Sequence, residues 1–266
     1  IQRFSANKSK SKQATARRKL LDKLTVEEMP ASSRRYPFVA FTQDREVGKE
    51  ILTVEDISYS LEGERVLDGI SFRVNKGDKI AFVGENDRAI TALFEILAGN
   101  AEPEQGSFKW GVSTSQSYFP KDNNAYFEGS DLSIIDWLRQ YSTDDTDTYL
   151  RSFLGKMLFS GEEVTKPVKV LSGGEKVRCM LSRMMMKQAN VLLLDQPTNH
   201  LDLESITALN NGLTAFPGIV LFASYDHEFV QTIANRIMEL TPEGKLIDRQ
   251  CSYDEYLEWR LGVEAD

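Results

Sequence analysis

The sequence predicts an α/β fold: a mainly parallel sheet flanked by helices, with an antiparallel β flap and a helical insert at about residues 130–175. Three observations predict it. The runs KIAFVG (79–84), VLLLD (191–195) and GIVLFAS (218–224) are short and almost wholly apolar, as strands buried on both faces are. Segments of helical spacing follow them, and strands alternating with helices imply right-handed crossovers and parallel pairing. Two β-rich runs with charged turns, ILTVEDISYS (51–60) and VLDGISFRV (66–74), precede the first buried run and suit an antiparallel flap.

The elements follow in order. Residues 1–29 are rich in Lys, Arg, Ala and Gln, carry Leu20, Leu21 and Leu24, and stop at Pro30, which reads as a basic helix. Residues 31–50 read as an irregular linker with aromatic anchors. The division is therefore 1–50, arm and linker, and 51–266, globular domain. ITALFEILA (90–98) has helical spacing and closes at Gly99; strand-like pieces follow at 108–112 and 117–119. Residues 131–159 read as helices joined by an acidic Thr/Asp turn, and 175–188 as a strong helix. Further helices are expected at 204–213 and 226–236.

Charge divides the chain the same way. The net charge of −8 splits into +7 over residues 1–24 and −15 over the rest. A basic arm on an acidic body suggests a polyanion partner, RNA first among them, although a solvated helix has the same composition. No apolar stretch approaches the ~20 residues of a membrane-spanning helix. The opening IQRFSANKSK lacks the apolar core of a signal peptide, and the missing initiator Met suggests a fragment. Cys179 and Cys251 have no metal-type spacing and read as reduced thiols.

The chemistry centres on LSGGEKVRCMLSRMMM (171–186). Ser172, Gly173 and Gly174 open a helix whose exposed N–H groups suit an anion such as phosphate, and the glycines permit close approach. A Ser-Gly-Gly alone is equally a plain turn; its position is what distinguishes it. After it comes VLLLDQPTNHLD (191–202), a buried strand ending in Asp195, placed to hold Mg²⁺ through water. Before it lies KIAFVGENDRAITALFEILAG (79–99), the strand–loop–helix slot of a P-loop, G-x-x-x-x-G-K-[ST]. Gly84 and Thr91 match; Ala89 and Ile90 stand where Gly and Lys belong.

The combination LSGGE … LLLDQPTNHLD resembles the ATP-binding-cassette (ABC) ATPases. The resemblance implies a P-loop NTPase core with an antiparallel β subdomain and a helical subdomain, and ATP with Mg²⁺ as ligands. It makes Leu171, Ser172, Gly173, Gly174 and Glu175 the signature, Asp195 the Walker B carboxylate, and Asn199–Asp202 the D-loop. Gln116, before an aromatic pair, is expected as the Q-loop glutamine. Gly84, Asn86, Arg88 and Thr91 would line the nucleotide, and Thr91, Gln116 and Asp195 would surround the Mg²⁺.

The departures from the pattern point one way. Ile90 removes the cation that pairs with phosphates, Asp87 adds an anion where ABC proteins usually carry Gly, and Ala89 narrows the backbone approach. A unit charge pair at ~4 Å is worth ~4 kcal/mol at an effective dielectric of ~20, so ATP binding is expected to weaken severely unless Arg88 substitutes as the cation. Gln196 stands where a water-polarising Glu is usual, and an amide is a poor general base. Tyr225 occupies the switch His position, with His227 two residues too late. Leu61 holds the place of the adenine-stacking aromatic, with Tyr59 two residues earlier on the same face. An engineered trap would change the Glu alone, so these losses together read as natural degeneration.

ASSRRYPF (31–38), the basic helix before it, MLFSGEEV (157–164) and the ending TPEGKLID … SYDEYLEW resemble the ABC-F family, its YbiT/YkpA-like members above all, over nearly the whole chain. That resemblance implies two cassettes on one polypeptide, no membrane domain, a cytoplasmic location and action on the ribosome near the exit tRNA. This chain would be the second cassette, with residues 1–29 the returning strand of an interdomain arm. Lys8, Lys10, Lys12, Arg17, Arg18 and Lys19 would then contact RNA phosphates. ABC sites are composite, so the LSGGE here would complete the site of a partner cassette, the first one or a second copy. ATP hydrolysis would belong to the twin-cassette protein, with this half weak or inactive in its own site. The alternatives are a transporter ATPase subunit, which needs a groove for a coupling helix, and a non-catalytic scaffold, which dimerises without ATP. Trp110, Trp137, Trp259 and Met184–Met186 read as packing, and Asp144, Asp145 and Asp147 as a solvated turn.

Overall fold

The computed structural model describes residues 35–262. The arm cations Lys8, Lys10, Lys12, Arg17, Arg18 and Lys19 lie outside the described residues.

Two sheets organise the domain. β1 (Leu52–Leu61), β2 (Glu64–Val74) and β4 (Gln105–Trp110) form an antiparallel sheet in the order β2-β1-β4. The β1–β2 hairpin turns through Glu62 and Gly63 at φ 53° and 83°, the two-residue positive-φ turn whose twist matches its strands. The second sheet runs β5-β6-β7-β3-β8-β9, from β3 (Lys79–Val83), β5 (Gln116–Phe119), β6 (Val191–Asp195), β7 (Ile219–Ala223), β8 (Arg236–Leu240) and β9 (Leu246–Arg249). Every pairing is parallel except β8 with β9.

Side chains of the central strands alternate between two cores, as the strand period of two requires. Val191, Leu193, Ile219 and Leu221 face helix α1 (Asp87–Leu97) and the antiparallel sheet. Leu192, Leu194, Val220 and Phe222 face the other helices. These include α2 (Ile134–Arg139), α3 (Asp147–Lys156) and α4 (Gly173–Lys187), then α5 (Leu203–Ala215), α6 (His227–Ile233) and α7 (Tyr253–Arg260). In the helical insert, buried Trp137 stacks on Phe127 at 4.9 Å and donates from Nε1 to the Tyr126 carbonyl, the anchoring role its size suggests.

Residues 36–50 are irregular but packed: Val39, Phe41 and Val47 are buried, and Asn190 Nδ2 donates to the Arg45 carbonyl. Helix 226–236 is corrected. It ends at Ile233, and Arg236 opens β8, a strand buried at every residue. The charges of Arg236 and Glu239 hide that strand in the sequence. Arg236 is buried between Asp78 (2.7 Å) and Asp248 (2.5 Å), and Glu239 meets Arg260 at 3.2 Å. Among the described residues, no helix is long and apolar enough to cross a membrane.

Candidate nucleotide site

The carboxyl ends of β3, β5, β6 and β7 lie side by side, where open α/β sheets bind ligands. β3 leaves the sheet through Gly84, at φ 139°, where a Cβ would meet the Leu240 carbonyl oxygen at 2.2 Å. Asn86 then caps α1, its Oδ1 accepting from the Ala89 N–H at 3.1 Å. Ala89 and Ile90 turn into the core, 0% and 3% exposed. Ile90 is therefore a core side chain, and the cap already engages the Ala89 N–H.

Thr91 faces the strand ends. Its Oγ1 donates to Asp195 Oδ2 at 2.6 Å. Asp195 is 2% exposed, and burial raises its pKa to about 6; the Thr91 hydroxyl and the Lys121 ammonium oppose that rise. Two adjacent oxygen donors of this kind fit Mg²⁺, which completes its octahedron with water and phosphate oxygens. Among the described residues, no cluster of three or more His, Cys, Asp or Glu side chains could hold a metal alone.

The first turn of α1 carries an ion pair of its own. Asp87 Oδ2 accepts from Lys121 Nζ at 2.9 Å and from the Tyr225 hydroxyl. Arg88 is turned aside to the β1–β2 hairpin, pairing with Glu62 at 2.9 Å and Glu64 at 3.7 Å, so it does not stand in for the missing lysine. A cavity of about 430 Å³ opens between β1 and α1, lined by Tyr59, Leu61, Arg88, Thr91, Ala101 and Lys121 among others. Both aromatic-position candidates, Tyr59 and Leu61, border it.

Gln116 is the expectation the geometry overturns. It is the first residue of β5, opposite Val191 at the start of β6, and its amide donates to Thr114. Asp195 is at the other end of β6, so Gln116 lies at the opposite strand end from the Thr91–Asp195 pair. A strand delivers its ligand-facing residue after its carboxyl end, and β5 ends at Phe119; the residue that follows into the site is Lys121. The available signal was the strand's end, not the presence of a glutamine.

Gln196 is 4% exposed at φ 54°, and its Oε1 is buried without a hydrogen-bond partner among the described residues. Tyr225 is 68% exposed. His227 pairs with Asp254, at the start of α7, at 2.9 Å.

The helix that opens at the expected signature is well capped. Ser172 and Glu175 form a reciprocal capping box at the start of α4, and Lys166 meets Glu175 at 2.9 Å. Burial opposes ionisation of Glu175, but the Ser172 N–H and Lys166 outweigh it and hold the carboxyl below its usual range. Leu171 is buried; Ser172 and Gly173 are exposed, and Gly174 is half-buried. A Cβ at Gly173 would lie 3.0 Å from His200 Cβ, and one at Gly174 2.9 Å from the His200 carbonyl oxygen, so the two glycines let the Asn199–Asp202 loop pack against the signature. Asp202 caps α5 through the Ser205 N–H at 2.8 Å.

Comparison with known proteins agrees with this fold. The profile of the family described as ABC transporter matches residues 67–199. The uncharacterized ABC transporter ATP-binding protein YkpA of Bacillus subtilis is 62% identical over 259 residues, 97% of this chain and 48% of that protein. The energy-dependent translational throttle protein EttA of Haemophilus influenzae is 30% identical over 226 residues, 83% of this chain and 40% of that protein. The chain thus spans less than half the length of these curated relatives. The ATP binding subunit of an ABC transporter superposes with a TM-score of 0.65 at 18% identity, covering 81% of this chain and 95% of that one, which shows a shared P-loop NTPase fold. With the family profile spanning half of the chain and Asp195 standing at the end of a strand in that fold, this chain belongs to the ABC family as one of its ATPase domains.

Proposed function

We propose that this domain is the second cassette of a twin-cassette ABC-F protein of the cytoplasm, acting on the ribosome in translation. In this reading its own P-loop site binds ATP and Mg²⁺ weakly and turns ATP over little, while its signature completes the ATP site of the partner cassette. The observation that carries the proposal is a contrast within one chain. Ser172 and Gly173 are exposed at the start of a well-capped helix, whereas Ile90 is in the core and Asp87 is neutralised from within. Gln196 supplies no strong base, so hydrolysis falls to the partner's site. The translational role draws on the ABC-F-like segments at 31–38, 157–164 and 241–259, and on the similarity to a relative named a translational throttle. The basic arm cations would bind RNA phosphates.

The test is Mg-ATP binding to this chain by calorimetry, beside the Ile90→Lys/Asp87→Gly double variant. No measurable binding by the natural chain, with binding by the variant, supports a site weakened through its P-loop. Tight binding by the natural chain overturns it. In the twin-cassette protein, Ser172→Ala should lower ATP turnover although it leaves the P-loops untouched; unchanged turnover sinks the signature-donor role.

A further inference from the structure

We propose that Asp87 is a built-in anion: its carboxylate fills the phosphate position of this site and keeps a ligand's phosphates out. The inference rests on the reading of the site as weakened. It adds that the weakness is conditional, set largely by one side chain rather than by the missing lysine alone.

Three strand ends converge on this carboxylate. Asp87 opens the 11-residue helix α1, four residues after β3, where the helix dipole favours negative charge. Lys121 arrives two residues after β5 and places Nζ 2.9 Å from Asp87 Oδ2. Tyr225 arrives two residues after β7 and donates its hydroxyl to the same oxygen. A cation and a hydroxyl aimed at one oxygen above a helix N-terminus is the chemistry that recognises a phosphate oxygen. Here the chain supplies the oxygen itself.

A second observation on the β6 side points to a polar occupant. Gln196 follows Asp195, the last residue of β6; its Oε1 is buried with no partner among the described residues, and a buried orphan acceptor is a place for water or a ligand hydroxyl. Arg88 is held at the hairpin by Glu62 and Glu64, so among the described residues Lys121 is the cation paired at this end of α1. Lys121 brings to the start of α1 a cation that position 90 lacks, but its charge is spent on Asp87.

The experiment uses the 266-residue chain, with sodium tripolyphosphate as the probe, titrated by calorimetry with and without Mg²⁺. Asp87→Asn keeps the shape and leaves the Asn86 cap in place but removes the charge. It should bind the probe at least about tenfold more tightly than the natural chain, and Asp87→Asn/Lys121→Gln should return to the natural level. Thermal melts establish that the variants are folded, and Asp87→Ser serves should the Asn variant not fold. A folded neutral variant that binds no better overturns the proposal, as does a gain that survives loss of Lys121. Tight binding by the natural chain overturns the weak-site reading as well, so failure of one claim is distinguishable from failure of both.

Discussion

Thr91 Oγ1 donates to Asp195 Oδ2 at 2.6 Å, joining α1 to the end of β6. Asp195 titrates at about 6 in the folded chain against 3.8 for an ordinary Asp. A raised carboxyl pKa means the folded state binds a proton more tightly than the unfolded state. Its contribution is therefore full below about pH 4 and lost as pH rises through about 6. The shift corresponds to about 3 kcal/mol. Asp195→Asn should be less pH-sensitive in urea unfolding across that window and more stable than the natural chain at pH 7. Parallel curves for the two proteins would show that Asp195 is not strained by burial.

Arg236 is the charge on which β8 depends. Its guanidinium reaches Asp78, Asp248 and the Arg73 carbonyl at 2.5–2.9 Å. Removing one member of a buried ion network leaves its partner uncompensated, at a cost of about 3–5 kcal/mol. Arg236→Met should lower stability by that amount in urea melts, and adding Asp78→Asn should recover part of it. A cost below about 1 kcal/mol would mean that solvent already satisfies Asp78.

The buried strands were legible because β3, β6 and β7 are apolar on both faces, and the α4 start because Ser172 and Glu175 write a capping box into the sequence. β8 was not, because Arg236 and Glu239 look like helix-surface charges until their partners on other elements are known. Motif spacing puts Gly84 just after β3, Thr91 on α1 and Asp195 at the end of β6, where the structure has them. Lys121 could not be placed that way: its role depends on where β5 ends and on Asp87, 34 positions away in sequence. The burial of Ile90 was not readable, since a P-loop pattern does not say which way the side chain turns.

Gly84 tests backbone approach rather than charge. Its φ of 139° is a conformation that L residues rarely adopt, and an added Cβ would lie 2.2 Å from the backbone oxygen of Leu240 on β8. Gly84→Ala should cost more than about 2 kcal/mol, combining backbone strain with a clash against rigid main chain. Gly129→Ala is the control: its φ is 71° with nothing within 4 Å, so conformational strain of about 1–2 kcal/mol is all it should show. Equal costs in thermal or urea unfolding would show that Leu240 can move aside.

Ile90→Lys separates two explanations of the weak binding we propose for this site. If the missing cation alone limits binding, this substitution should restore Mg-ATP affinity. The structure argues otherwise. Ile90 is 3% exposed within the apolar cluster between α1 and the antiparallel sheet, so a lysine there must either bury its ammonium or swing out past Asp87. Burial disfavours the charged form, and swinging out places the ammonium beside a carboxylate already shared by Lys121 and Tyr225. Ile90→Lys alone should therefore destabilise the chain by a few kcal/mol and gain little affinity. Combined with Asp87→Gly, the same lysine meets an emptied anion position, and the gain in binding should exceed the sum of the two single changes. Calorimetry on the four proteins of this cycle measures the coupling. Full recovery by Ile90→Lys alone would mean that Asp87 yields readily to phosphate and that the lost lysine is the whole defect.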